Sequence, residues 1–245
     1  MNLQTSKDYI DLEERFGAHN YHPIPVVLEK GEGVYVWDVE GNRYYDFLAA
    51  YSAVNQGHCH PDIVKSLTGQ VARLALTSRA YYNNRLGEWE VYMHSLFGYD
   101  KMLPMNSGAE GVETALKLCR KWAYKVKGIA RQEAVIVVCN GNFHGRTITI
   151  ISMSSDPDAY NDYSPYTPGF VNVPYNDIEA LENALKNRNV AGFLVEPIQA
   201  EAGVYVPEAG YLARAAALCK KYNVLFIADE VQTGLGRTGK MLACE

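Results

Sequence analysis

The chain has 245 residues with a formal net charge of −5, and 48% of the residues are hydrophobic while 21% are charged. This length suits one large domain or two small ones, and the acidic balance excludes the basic surface typical of nucleic-acid-binding proteins. The longest apolar runs, residues 134–139 and 224–228, are too short to cross a bilayer. We therefore expect neither a nucleic acid nor a membrane as partner.

The N-terminal residues and the cysteines indicate a reducing compartment. Residues 1–17 are rich in acids and lack an apolar segment, which matches neither a signal peptide nor an arginine-rich transit peptide. The five cysteines are scattered without a CxxC pair, a pattern that indicates free thiols. We expect a cytoplasmic protein, or a protein of the mitochondrial matrix if a presequence has been removed.

The first hundred residues show a hairpin and two helices. Residues 1–33 contain few periodic signals, and the prolines within 21–25 favour an extended stretch. Apolar alternation over 34–39 and 43–47, around a Gly-Asn turn, predicts a hairpin. Helical spacing predicts helices over 61–76 and 86–97.

From residue 102 onward, strands and helices alternate. We predict strands over 102–105, 134–139, 170–173, 190–195 and 224–228, and helices over 108–127, 177–186 and 210–222. The type of residues 148–153 stays open. The alternation predicts an α/β fold whose mostly parallel sheet is covered by helices on both faces. Such a sheet should continue past residue 245, so we expect a fold that is incomplete at its C-terminus.

Two motifs are rejected as ligand sites. Residues 234–239 match G-x-G-x-x-G and, with Lys240, nearly match a P-loop, but residues 229–233 separate them from the strand and Met241 replaces the hydroxyl residue. A surface loop is the favoured interpretation. His58 and His60 flank one cysteine without a second Cys/His cluster, so we predict a structural turn and no metal site.

Four weaker signals point together to one cofactor. Ser107, with the small residues after it, opens a long helix and suits a phosphate, although on its own a plain N-cap is the favoured interpretation. Asp229 ends a buried strand, where a carboxylate is either a cap or the partner of a protonated pyridine nitrogen. Phe143 either packs in the core or stacks on a planar ring, and Arg146 either forms a surface ion pair or binds a carboxylate. Phosphate cup, ring stack, pyridinium partner and carboxylate clamp together suit pyridoxal 5′-phosphate (PLP).

Five sequence blocks, in chain order, resemble the class III, fold-type I PLP-dependent aminotransferases. They are NQGHCHP at 55–61, MNSGAE at 105–110, NFHGRT at 142–147, VEPIQ at 195–199 and IADEVQTG at 227–234. Further blocks at 17–23, 51–57, 78–83 and 174–177 are most similar to the ornithine aminotransferases within this class. The resemblance covers essentially the whole chain.

The resemblance implies a role for each site residue. Ser107, Gly108 and Ala109 would hold the phosphate; Phe143, Glu196, Asp229 and Gln232 would surround the ring, Asp229 as the catalytic residue that binds its nitrogen. Tyr21 and Arg146 would hold the α-carboxylate of ornithine, and Tyr51 would line the substrate pocket. Glu201 would pair with an arginine outside this chain when ornithine binds, and would release it for the oxo acid.

The implied function is transfer of the δ-amine of ornithine to 2-oxoglutarate, giving glutamate semialdehyde and glutamate, by a homodimer. Residues 1–51 would be an N-terminal segment of the small domain, and residues 52–245 a truncated large PLP-binding domain. No lysine has the context of the family's Schiff-base lysine, so we expect the 245-residue chain alone to be inactive. The alternatives are an acetylornithine or 4-aminobutyrate aminotransferase, a decarboxylase or aminomutase of the same fold, and a truncated non-catalytic paralogue.

Overall fold

The computed structural model describes residues 5–245 as two compact units, of which the first ends at Tyr99 and the second spans Asp100–Glu245. Within the described residues, none of the helices combines the length and the apolarity that a membrane crossing requires. The assignment of residues 1–51 and 52–245 to two domains of the full protein stays a prediction.

The first unit contains a three-stranded antiparallel sheet. Its elements are α1 Ser6–Phe16, β1 Leu28–Glu32, β2 Tyr35–Asp38, β3 Arg43–Tyr45, the single turn α2 Ala49–Ser52, α3 Pro61–Val71 and α4 Leu86–Phe97. Strand order is β1-β2-β3, with Tyr35 opposite Tyr45, so the predicted hairpin is confirmed. Asp38 closes the turn by accepting hydrogen bonds from the backbone N–H of Asn42 at 2.7 Å and from the hydroxyl of Tyr44 at 2.7 Å.

The N-terminal segment has more regular structure than its sequence suggests. The few periodic signals in residues 1–33 predict neither α1 nor β1, both of which the structure contains. Helix α1 begins with a capping box, in which Thr5 and Asp8 exchange hydrogen bonds, but it buries none of its residues.

The two predicted helices of this unit are confirmed. Helix α4 has the predicted bounds, whereas α3 ends at Val71, five residues earlier than predicted. At its start, Pro61 occupies the first turn and the His60 ring accepts from the N–H of Asp62 at 3.3 Å. His58 instead pairs with Asp46, Nε2 to Oδ2, at 2.7 Å. The two histidines thus have structural roles in a turn, as predicted.

The second unit is an α/β layer structure. Its elements are α5 Gly108–Trp122 with a π-helical continuation Ala123–Lys127, β4 Val135–Cys139, α6 Ile148–Ile151, α7 Pro157–Tyr160, β5 Phe170–Val173, α8 Ile178–Leu185, β6 Val190–Val195, α9 Tyr211–Lys221 and β7 Leu225–Ala228. The four strands are all parallel, in the order β5-β4-β6-β7. The predicted parallel sheet is confirmed.

Both faces of this sheet are buried. Along β4, Ile136 and Val138 belong to a core cluster with Leu116 of α5, whereas Val137 belongs to a second cluster with Leu181 of α8. Successive strand residues point to opposite faces, so burial of both sets shows that helices cover the sheet on each side. The unbroken apolar sequence of β4 and β6 follows from this arrangement.

Two sequence assignments change in this unit. The strand predicted over 102–105 is absent, because Pro104 has no N–H to donate, and Leu103 and Met105 are exposed. Residues 148–153, whose type was open, contain the short helix α6, for which Thr147 is the N-cap.

Candidate active site

The carboxyl edge of the parallel sheet collects polar side chains from three strands. Asn140 follows β4, Glu196 follows β6 and Asp229 follows β7. The backbone N–H of Asp229 donates to the carbonyl of Val195 at 2.8 Å, which extends the pairing of β6 and β7 to the residue before Glu196. Open α/β sheets bind ligands at this edge, because all the strands end there together.

Asp229 is a buried carboxylate whose two oxygens are both held. Oδ2 accepts from Nδ1 of His144 at 2.6 Å, and Oδ1 accepts from the backbone N–H of Val231 at 3.1 Å. Its side chain is only 6% exposed, and that of His144 is 0% exposed. Each carboxylate oxygen can accept about two hydrogen bonds, so the group retains acceptor capacity for a further donor.

Glu196 lies beside this pair and binds its proton unusually tightly. Burial raises the pKa of Glu196 from 4.5 to about 8, aided by the charges of Asp229 and Glu201, although the backbone N–H of Phe143 opposes the shift by donating to Oε2 at 3.1 Å. The protonated form therefore predominates at pH 7. Because the folded pKa is raised, the stability that this proton contributes is complete below pH 4.5 and is lost as the pH rises through about 8.

Phe143 and Arg146 form the rim of the site. Phe143 is 36% exposed, so part of its ring is accessible, and the guanidinium of Arg146 lies 5.8 Å from the ring centroid. The loop that carries them is anchored by Asn142, whose side-chain amide donates to the carbonyls of Cys139 and Met153. The structure therefore brings together a ring-stacking face and a cationic group.

The predicted phosphate cradle is the N-terminus of a fifteen-residue helix. Ser107 is the N-cap of α5, and its hydroxyl accepts from the N–H of Glu110 at 3.2 Å. A Cβ added to Gly108 would lie 2.8 Å from Cγ1 of Val231, so the helix N-terminus contacts the segment that follows Asp229. The first N–H groups of a helix lack intrahelical acceptors and favour an anion.

Gln232 and Glu201 meet at the same edge. The side-chain amide of Gln232 donates to Oε1 of Glu201 at 3.0 Å, across 31 residues of sequence. The structure thus joins the residue predicted to contact the ring oxygen to the residue predicted to switch between substrates.

Tyr21 and Tyr51 belong to the first unit. Tyr21 lines an open cleft of about 1070 Å³ between α1 and the extended residues that follow it. Tyr51 lies in the turn α2, where Ala49, Ala50, Tyr51 and Ser52 all have φ between 48° and 72°. Such left-handed backbone is costly for residues with a Cβ and is often found at functional sites. The substrate-binding roles of both tyrosines stay predictions.

Two residues of the site were not singled out from the sequence. His144 contacts Asp229 directly, and Val231 packs on Gly108. Both lie inside the family blocks at 142–147 and 227–234, but the residue pattern alone predicts no role for either. A buried carboxylate at a strand end needs a nearby donor, and this requirement is the sequence signal that points to His144.

The glycine-rich residues 234–239 form a turn-rich loop, within which Leu235 donates its N–H to the carbonyl of Met241 at 2.7 Å. Strand β7 ends at Ala228 and residues 231–238 are turns, which agrees with the interpretation as a loop. In a P-loop the glycines would follow the strand directly.

Comparison with known proteins identifies the family. The family described as Aminotransferase class-III matches residues 16–245. The chain belongs to this class. Among class-III relatives, the probable mitochondrial ornithine aminotransferase of Caenorhabditis elegans is 60% identical over 98% of this chain. The match spans 57% of that relative, so the chain covers little more than half of its length.

Solved class-III structures match the whole described fold. An ornithine aminotransferase from Toxoplasma gondii, crystallised with partial occupancy of PLP at its active site, superposes with a TM-score of 0.98. It is 52% identical, over 99% of this chain and 57% of its own. An acetylornithine aminotransferase from Elizabethkingia anophelis is 64% identical, with a TM-score of 0.88, over 99% of this chain and 59% of its own. The sheet and its helices are therefore part of the fold-type I architecture.

Proposed function

We propose that the site described above holds PLP in the full protein. Three features of the second unit fit this cofactor: a buried carboxylate with spare acceptor capacity, an aromatic ring with an accessible face, and a helix N-terminus whose first residue has no side chain. They match a ring nitrogen, a planar ring and a phosphate. When bound, PLP supplies the electron sink and the carrier for the amino group.

Each residue of the candidate site then has a role in binding the cofactor. Asp229 keeps a proton on the ring nitrogen, and the buried environment strengthens that interaction. Ser107, Gly108 and Ala109 bind the phosphate, and Phe143 covers one face of the ring and excludes water from it. Gln232 contacts the ring oxygen. Glu196, which is mostly protonated at pH 7, adds no second full charge beside Asp229.

We propose that the full protein transfers the δ-amine of ornithine to 2-oxoglutarate, giving glutamate semialdehyde and glutamate. The observation that carries this proposal is the position of the Arg146 guanidinium 5.8 Å from the centroid of the Phe143 ring. A guanidinium at the rim can hold the substrate α-carboxylate in two parallel hydrogen bonds, which leaves the distal amine to reach the cofactor. Tyr21, in the first unit, is proposed as a further substrate-binding residue on the sequence resemblance alone.

The test compares kcat/KM of the purified full protein for ornithine, N-acetylornithine and 4-aminobutyrate, each with 2-oxoglutarate. We expect ornithine to be preferred by at least about tenfold, which corresponds to one well-placed hydrogen bond in the transition state. A preference for 4-aminobutyrate would contradict the assignment.

A second candidate is an acetylornithine aminotransferase, because the Elizabethkingia structure that bears this name is 64% identical to the chain. The two activities share the cofactor and the distal amine, and they differ at the α-nitrogen, which is charged in ornithine and an amide in N-acetylornithine. A higher kcat/KM for N-acetylornithine would establish the second candidate in place of the first.

We further propose that the full protein is a homodimer whose active sites lie at the subunit interface. Tyr44, Tyr45, Tyr51, Tyr81 and Tyr82 are exposed in the first unit, and exposed tyrosines are typical of interfaces. A monomeric, fully active protein in sedimentation would rule this out. The location we propose is the cytoplasm, or the mitochondrial matrix after removal of a presequence, which cell fractionation would distinguish.

A further inference from the structure

The side chain of His144, at the candidate site, is fully buried, with 0% of it exposed. One ring nitrogen, Nδ1, lies 2.6 Å from Oδ2 of Asp229. The other, Nε2, has no hydrogen-bond partner within the described residues. A fully buried imidazole that contacts only one polar partner is unusual, because buried polar groups are normally all satisfied.

This pattern determines which nitrogen carries the proton. With the proton on Nδ1, His144 donates to Asp229 and leaves only a lone pair unpaired on Nε2. With the proton on Nε2, a lone pair would face the carboxylate at 2.6 Å and a buried N–H would have no acceptor. The second arrangement loses a charge-assisted hydrogen bond and orphans a donor, so the Nδ1–H form is strongly favoured.

The neighbours of His144 hold it rigidly. On one side, Phe143 donates its N–H to Glu196. On the other, Gly145 has a φ of +125°, and a Cβ there would lie 2.9 Å from Cβ of Ala109 and 3.1 Å from Cδ1 of Ile150. The histidine therefore sits between a contact to the β6 edge and a close approach to α5.

We infer that His144 is a positioning residue that fixes the orientation of Asp229 through an Nδ1–H hydrogen bond. His144 donates to Oδ2, while the N–H of Val231 donates to Oδ1, so the carboxylate cannot rotate without losing a bond. Holding Asp229 in one orientation, and as an acceptor, prepares it for a donor on the ligand. The target of that acceptor, a ring nitrogen, rests on the proposed function.

Two variants of the full protein separate this role from simple packing. In His144→Asn, the side-chain amide nitrogen reaches the position of Nδ1 and keeps the donor to Asp229. In His144→Gln, the amide nitrogen reaches the position of Nε2 instead, where the structure has no partner. We expect His144→Gln to lower kcat for ornithine by roughly 10- to 100-fold, the effect of one charge-assisted hydrogen bond, with KM changed by less than about twofold. We expect His144→Asn to stay within about threefold of the parent.

Two readouts do not depend on turnover. Selective ¹⁵N labelling of histidine in the cofactor-free protein should show a protonated Nδ1 and an unprotonated Nε2 for His144. PLP affinity should fall in His144→Gln and be retained in His144→Asn. If the parent protein does not transaminate ornithine, the proposed function fails, and these two measurements still decide the role of His144. Equal impairment of the Asn and Gln variants, or a proton on Nε2 in the labelled protein, would overturn the inference.

Discussion

Replacing Asp229 by Asn distinguishes the role of this carboxylate in catalysis from its role in the stability of the fold. The substitution keeps the shape of the side chain but removes its charge, and the new amide would face Nδ1 of His144, a donor at 2.6 Å. The lost bond involves a charged acceptor, so the free energy of unfolding should fall by about 1.5–3 kcal/mol. The backbone N–H of Val231 still finds an acceptor in Oδ1.

The expected loss of activity is much larger than unfolding can explain. The free energy of unfolding of a domain is about 5–15 kcal/mol. Even if it falls by about 3 kcal/mol from about 5 kcal/mol, roughly 97% of the molecules stay folded. Removing a preorganised charge that stabilises a transition state typically lowers kcat by about 10²- to 10³-fold. We therefore expect Asp229→Asn to be folded and almost inactive.

The assay pairs kcat at saturating ornithine with urea unfolding of the same preparations. Val190→Ala is the matched control, because Val190 is 1% exposed and begins β6, at the opposite end of the strand from Glu196. Removing two buried carbons should cost about 1.6 kcal/mol, within the range expected for Asp229→Asn, without changing kcat. Asp229→Asn activity within a few-fold of the parent would refute the role of this carboxylate.

Three further predictions rest on other residues. Glu196→Gln should flatten the pH dependence of the free energy of unfolding. In the parent, this free energy should fall by about 5 kcal/mol at most as the pH rises from 4.5 to about 8. Urea titrations of both proteins at about pH 5 and 8 check this. Gly108→Ala should destabilise by about 1–3 kcal/mol, because the new methyl meets Val231 at 2.8 Å. Gly111→Ala, with no atom within 4 Å, should be neutral or stabilising by up to about 1 kcal/mol in the same unfolding assay. Tyr21→Ile should reduce the kcat/KM preference for ornithine by about 1–3 kcal/mol, and an unchanged preference would remove Tyr21 from the substrate site.

The parallel sheet was predictable because strands that are buried on both faces have continuous apolar sequences. Strands β4 and β6 are unbroken apolar runs, and only a sheet covered on both sides requires them. Helix α1 was not predicted, whereas α3 and α4, which also bury none of their residues, were. The strand predicted over 102–105 is wrong because Pro104 interrupts it. Burial within one unit therefore does not decide which helices the apolar periodicity reveals.

The candidate site was predictable only where a residue follows a recognisable element. Asp229 comes directly after β7, and Ser107 directly precedes α5, so both positions follow from the elements themselves. The partner of Asp229 does not: His144 is 85 residues away, in a loop without periodicity. Which loop residue reaches a distant carboxylate depends on how the strands are ordered in the sheet. The order β5-β4-β6-β7 places β6 between the strands that precede His144 and Asp229, and the sequence alone does not reveal it.

The contact between His144 and Asp229 also predicts that their contributions to the free energy of unfolding are coupled. Because His144→Gln and Asp229→Asn both remove the same Nδ1–Oδ2 hydrogen bond, their effects on the free energy of unfolding should not add. We expect the double variant to be destabilised about as much as the worse single variant, which corresponds to a coupling energy of about 1.5–3 kcal/mol. Urea unfolding of the four proteins in the cycle, without cofactor, measures this directly. Additive effects would mean that the histidine and the carboxylate contribute independently, and that the 2.6 Å contact contributes little to holding Asp229 in place.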